Sequence, residues 1–269
     1  MTRRRDLLTV AAALPLGAAI APRYADAQCS GGKTGGKTFV LVHGAWAGGW
    51  CWTRVAEPLA AAGHRVYAPT QTGCGERSHL ISNSITLDVV TKDLINVLEW
   101  EDLTDVVLVA HSFGGVAATA AADQQRQRIR QIVYLDAMIL QHGQSAFSSF
   151  SPELVAARRK LALESSAGLS MPVPDPKSFG IVDAGDSAWF EAKCTPHPIS
   201  TYESALTLKY PVGNGLPATY VAVKPDYEPL TTSRAYAKSR PEWHYVEIEA
   251  GHAAMVTSPA AVLAILQSL

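Results

Sequence analysis

The chain has 269 residues, 48% hydrophobic and 17% charged, with a formal net charge of −1. That composition supports a large core in one α/β domain, or in one domain with an insertion, and excludes a disordered or fibrous chain. It offers no basic stripe to neutralise a phosphate backbone, so nucleic acid is not expected as a partner.

The first segment has the organisation of an export leader. Arg3, Arg4 and Arg5 precede an apolar run ending at Ile20, and Ala25-Asp26-Ala27 supplies the small residues of a cleavage site. The run of about 14 residues is shorter than the about 20 needed to span a bilayer, so no stable membrane anchor is expected once it is removed. The leader resembles a twin-arginine export signal over residues 1–27, which predicts a periplasmic or secreted mature chain from Gln28. Its arginines and aspartates carry a net +2 (Arg3, Arg4, Arg5 and Arg23 against Asp6 and Asp26), leaving the mature part at −3. An oxidising compartment permits disulfides, and Cys29, Cys51, Cys74 and Cys194 can pair in several ways among which sequence does not choose. Their spacing contains no C-x-x-C pair, so no metal site is expected.

Residues 28–37 read as a Gly-rich linker. The stretch GGKTGGKT matches the phosphate-loop pattern formally, but no strand precedes it and no helix follows, so amides and a helix dipole have nothing to converge on. From Thr38 the chain alternates. A buried strand over 38–43 leads to the small-residue loop Gly44-Ala45-Trp46-Ala47-Gly48-Gly49 and a helix over 52–62. A strand at 65–68, a polar loop and a helix with Leu87, Val90, Leu94 and Val97 or Leu98 at helical spacing follow. The strand-helix alternation predicts a mostly parallel sheet flanked by helices.

Residues 105–115 read DVVLVAHSFGG. The β-branched run is a strand buried on both faces, the glycines end it, and the alanine-rich stretch from Val116 favours helix. Ser112 therefore stands on a strand-turn-helix corner, which lifts a hydroxyl clear of the sheet and aims helix N-terminal amides at developing negative charge. The pattern is G-x-S-x-G with Ala110 in place of the first glycine.

A further buried strand spans 131–136. Residues 140–212 then carry seven prolines and one helical piece at 152–163, without a run of strand formers, and are expected to be a cap inserted into the domain made by 38–139 and 213–269. Alternation resumes with a strand at 218–223, a helix near 231–239, a strand at 244–248 and a terminal helix from Pro259. Lys224-Pro225-Asp226 leaves one of these strands and Glu249-Ala250-Gly251-His252 the next.

Five stretches carry a resemblance: LVHGAWAGGWCW (41–52), TGCGERSHL (72–80), AHSFGG (110–115), CTPHPISTY (194–202) and GHAAM (251–255). Together they resemble the α/β-hydrolase superfamily, in the branch holding plant methylesterases, plant hydroxynitrile lyases and small bacterial esterases. The resemblance implies an α/β-hydrolase fold and the chain order nucleophile, acid, base, here Ser112, Asp226 and His252. Asp136, also at a strand exit, is the rival acid. The Ala45 and Phe113 amides are the expected oxyanion donors. The implied activity is cofactor-free hydrolysis of a small-molecule carboxylic ester through an acyl-enzyme on Ser112.

Two other functions are weighed. The lyases of this branch carry threonine after the histidine of the first strand exit and lysine after the catalytic histidine, where this chain has Gly44 and Ala253, so no cation is available for departing cyanide. A non-catalytic small-molecule-binding protein of the same fold would not need a serine, a histidine and an aspartate at three strand exits. His111 is read as a packed side chain, and His64, His79, His142, His197 and His244 show no metal-ligand spacing.

Overall fold

The computed structural model describes residues 35–269; the expected export signal, Cys29 and most of the linker lie outside them. The first apolar run forms β1 (Thr38–Val42), which ends in a loop and a 3-10 turn before α1 (Thr53–Ala61). Next come β2 (Arg65–Tyr67), α2 (Leu87–Trp100), β3 (Val106–Ser112), α3 (Gly114–Gln125) and β4 (Ile129–Ala137). The following stretch holds α4 (Pro152–Ser166), β5 (Ser170–Met171), α5 (Ala184–Lys193), β6 (His197–Pro198) and α6 (Ser200–Glu203). The chain closes with β7 (Ala218–Lys224), α7 (Thr231–Lys238), β8 (His244–Glu249), α8 (Ala254–Thr257) and α9 (Pro259–Ser268).

Six strands make one sheet in the order β2-β1-β3-β4-β7-β8, every pairing parallel. Helices must then cover both faces, which is why β3 is apolar without alternation: Val106 to Ala110 are all fully buried. On α2 the helical spacing puts Leu87, Val90, Leu94 and Leu98 into the core. Burying one such side chain contributes about 1.5–3 kcal/mol. Truncating Leu94 to alanine removes that and opens a cavity, costing about 2–5 kcal/mol. In α3 every residue from Gly114 to Asp123 is buried, and small side chains let this helix lie close on the sheet behind the Ser112 corner.

Between β4 and β7 the chain adds no strand to the main sheet. Its first helix runs to Ser166, three residues beyond the expected end, capped by the Ser151 hydroxyl accepting from the Leu154 amide and closed by Ala167 at φ 52°. A second helix, α5, was not legible from propensity. Gly185 and Asp186 in its first turn disfavour helix, but the Asp183 carboxylate accepts the Asp186 amide and starts it. β5 and β6 pair antiparallel through two residues each.

Candidate active site

Ser112 ends β3 with φ 53°, a left-handed conformation that a residue with a Cβ adopts at a cost of about 1–3 kcal/mol. The strain is held by backbone on both sides. The Met138 amide donates to the Ser112 carbonyl at 2.8 Å, and α3 begins two residues later. Gly44 approaches so closely that a Cβ there would stand 2.7 Å from the Ser112 Cβ and 2.9 Å from His111 Nδ1, so no larger residue fits.

The loop after β8 brings His252 to the serine. The Ser112 hydroxyl donates to His252 Nε2 at 2.9 Å, and His252 Nδ1 donates to Asp136 Oδ2 at 2.6 Å. His252 and Asp136 are buried. This loop is tied to the chain between α4 and α5: the Ala253 amide donates to the Phe179 carbonyl, and Gly251 meets Gly180 backbone to backbone. Tyr227 stacks on the His252 ring at 3.7 Å between centroids, and Phe179 lies nearly parallel to it at 6.2 Å.

Asp136 reaches this position through an irregularity in the sheet. His111 pairs with Leu135 and Ser112 with Ala137, so Asp136 is the extra residue of a bulge beside the nucleophile, with φ 39°. A bulge re-aims a side chain that regular alternation would send elsewhere. Its buried charge is fully engaged: Oδ1 accepts from Arg234 Nε at 3.1 Å and from Nη2 at 2.7 Å, while Oδ2 takes His252. Such partners offset the cost of taking a carboxyl group out of water.

Asp226, the acid expected from chain order, does not stand beside His252. Its side chain is 74% exposed and pairs with Arg234, whose Nη1 lies 2.7 Å from Oδ1. β4 is the immediate neighbour of β3, and its bulge sets Asp136 rather than Asp226 against His252. Arg234 then separates the two carboxylates, one buried and one at the surface. Sequence reasoning missed Arg234 altogether; its place at the fourth position of α7 gives no local signal.

Ala45 follows Gly44, whose backbone lies against Ser112, and Phe113 follows Ser112 at the start of α3; neither amide donates to another described group. His111 packs against His252, ring centroids 4.7 Å apart, and its Nε2 donates to the His252 carbonyl. Burial, followed by the neighbouring His252, holds His111 well below the ordinary histidine range, so it stays neutral. His43 donates from Nδ1 to the Gly44 carbonyl and accepts the Gln71 amide at Nε2, and burial pushes it down to about 4. Among the described residues Cys51, Cys74 and Cys194 form no disulfide. Burial pushes Cys74 and Cys194 up to about 12, so neither is a thiolate nucleophile near neutrality.

The arrangement has parts of nucleophilic acyl transfer: a serine on strained backbone, an imidazole accepting its hydroxyl proton, a buried carboxyl group on the other ring nitrogen, and two amides nearby in the chain that donate to no other described group.

Comparison with known proteins agrees with this architecture. A family model described as "Alpha/beta hydrolase family" matches residues 39–265. A carbendazim hydrolyzing esterase of Nocardioides sp. (strain SG-4G) is 37% identical over 232 residues, covering 82% of this chain and 94% of that protein. Methylesterase 7 of Arabidopsis thaliana is 38% identical over 109 residues, covering 40% of this chain and 42% of that one. An extracellular alpha/beta-hydrolase from a Paenibacillus species superposes with a TM-score of 0.75 at 24% identity, covering 86% of this chain and 98% of that one. With the family model spanning most of its length and the sheet order, serine corner and histidine loop in place, the chain belongs to the alpha/beta hydrolase family.

Proposed function

We propose that this protein is a serine esterase that cleaves small carboxylic esters through an acyl-enzyme on Ser112, with His252 as base and Asp136 as the acid. The observation that carries the reading is the unbroken line from Ser112 Oγ through both nitrogens of His252 to Asp136, at 2.9 Å and 2.6 Å. Its named relatives, an esterase and a methylesterase, support the same reaction class.

In the reaction, His252 Nε2 takes the Ser112 proton as Oγ attacks the ester carbonyl. Asp136 fixes the Nδ1–H tautomer and stabilises the imidazolium. The Ala45 and Phe113 amides receive the oxyanion; losing one such donor typically costs about 2.7–4 kcal/mol of transition-state stabilisation. His252 then protonates the leaving alcohol, and water attacks the acyl-enzyme by the reverse proton path. Residues 140–212 act as a cap that excludes bulk solvent, a role supported by the bond between the Phe179 carbonyl and the Ala253 amide. Asp226 acts only through Arg234. The buried Ala253 beside His252 supplies no cation for a cyanohydrin lyase, which favours ester hydrolysis. The leader over residues 1–27 supports export by the twin-arginine route to the periplasm or beyond.

The test is steady-state hydrolysis of a panel of p-nitrophenyl esters, aryl esters, lactones and mandelonitrile by the mature chain and by Ser112→Ala. Ester turnover lost in Ser112→Ala with mandelonitrile uncleaved supports the reading. Ester turnover that survives Ser112→Ala overturns it.

A further inference from the structure

On α4, Arg159 pairs with Glu203 and Lys160 with Glu164, but Arg158 is turned inward and differently placed. Its guanidinium lies 4.9 Å from the Phe150 ring centroid, 5.6 Å from that of Trp46 and 5.7 Å from that of Tyr202. Buried Nη1 has no hydrogen-bond partner among the described residues. Ring faces compensate part of the cost of desolvating a cation, but they do not accept its N–H groups. A buried donor of this kind is expensive to leave unpaired, so an acceptor arriving from outside has an unusually good partner waiting.

Two of the rings that hold Arg158 adjoin the candidate site, Trp46 through the chain and Tyr202 by stacking. Trp46 follows Ala45, and it is fixed by its indole N–H donating to the Met171 carbonyl at 3.2 Å. Tyr202 stacks on Phe113, the residue after the nucleophile, at 4.6 Å between centroids. One aromatic ring therefore separates the guanidinium from each of the two proposed oxyanion loops. The charge also acts on two nearby phenols. Burial raises the Tyr202 and Tyr227 hydroxyls and Arg158 opposes the rise, at Tyr202 through its charge and a hydrogen bond and at Tyr227, the ring stacked on His252, through its charge. Arg158 also lines an apolar cleft of about 420 Å³, together with Trp46, Leu154, Leu161, Met171 and Val173. Such a cleft receives a hydrocarbon portion, with the guanidinium as its one charged contact.

We propose, resting on the esterase reading, that Arg158 is a specificity residue that binds a carboxylate, and that the preferred substrates are half-esters: apolar esters bearing a free carboxylate several bonds from the scissile carbonyl. The planar guanidinium suits a carboxylate, and stacking on Trp46, Phe150 and Tyr202 holds it ready before substrate arrives.

The experiment compares matched esters on wild type, Arg158→Met and Arg158→Lys. One pair places the charge on the acyl side, mono-p-nitrophenyl adipate against p-nitrophenyl hexanoate. The other places it on the alcohol side, p-carboxyphenyl butyrate against phenyl butyrate. In Arg158→Met, the charged-to-neutral ratio of kcat/KM should fall about ten- to a hundredfold for at least one pair, chiefly through KM, with partial rescue in Arg158→Lys. An equal loss on charged and neutral esters, or wild type that turns over only the neutral ones, makes Arg158 a packing residue and overturns the proposal. Calorimetric titration of Ser112→Ala with monomethyl adipate reads the same contact without turnover. Binding that weakens at least about tenfold in the Ser112→Ala, Arg158→Met double variant supports the carboxylate site, and equal binding or none overturns it. Failure of the esterase reading shows separately, as ester turnover that persists in Ser112→Ala.

Discussion

Asp136 and His252 meet at 2.6 Å through Oδ2 and Nδ1, although 116 residues separate them and chain order points to a different acid. The contact exists because a bulge opposite Ser112 turns Asp136 towards the histidine loop. Asp136→Asn should leave the imidazole in the wrong tautomer and lower kcat by about 10⁴-fold. Asp226→Asn removes only an exposed partner of Arg234, and kcat should change by less than about tenfold. Ester kinetics on the two variants check both; the opposite ranking would return the acid role to Asp226.

Arg234 carries two bonds to the buried Asp136 carboxylate. Arg234→Met should strand that charge and cost about 3–5 kcal/mol, since breaking one half of a buried pair leaves the other uncompensated. Denaturant unfolding of the variant and of the Asp136→Asn, Arg234→Met double variant measures it. The double variant should be less destabilised than additivity of the two single changes predicts.

The serine corner and the histidine loop were legible because each is a local pattern: an apolar run broken by glycines, and Gly251-His252 leaving a short strand. The strands were legible for the same reason, with β7 and β8 found within one residue of their expected ends. The acid was not. Its choice depends on which strand neighbours β3 and on a register shift between His111 and Ser112, neither of which leaves a mark in one sequence. Arg234 and Arg158 escaped notice because ordinary helical positions hide long-range partners. Helix α5 was hidden by its own Gly185 and Asp186.

Gly44 tests the loop beside the nucleophile. A methyl group at this position would collide with the Ser112 Cβ and the His111 ring, forcing back the segment that carries the Ala45 amide. Gly44→Ala should lower kcat by about 10²- to 10³-fold, the cost of one misplaced oxyanion donor, with a smaller change in KM. Kinetics on a single p-nitrophenyl ester read the split, and an unchanged kcat would detach Ala45 from the chemistry.

Three of the buried imidazoles weaken the fold in acid. Burial pushes His43 down to about 4 and His197 to about 3, and holds His111 well below the ordinary range. Unfolded histidine titrates near ~6.5, so below that pH the unfolded chain takes up protons that the folded chain refuses. Stability is therefore full above about pH 6.5 and falls as pH drops towards the folded values. For His43 alone the total is about 3 kcal/mol, reached near its folded value of about 4. Calorimetric Tm should fall by about 10 °C or more between pH 7.5 and pH 5. A Tm that is level across that interval would mean these rings are protonated in the fold.

The most direct measurement is covalent labelling of the mature chain with a fluorophosphonate, followed by peptide mass spectrometry. A nucleophile activated by His252 and Asp136 takes up one phosphonyl group per chain, on the peptide containing Ser112, and labelling slows by orders of magnitude in His252→Ala. A chain that hydrolyses esters while Ser112 stays unmodified, or that is labelled at another residue, would contradict Ser112 as the nucleophile.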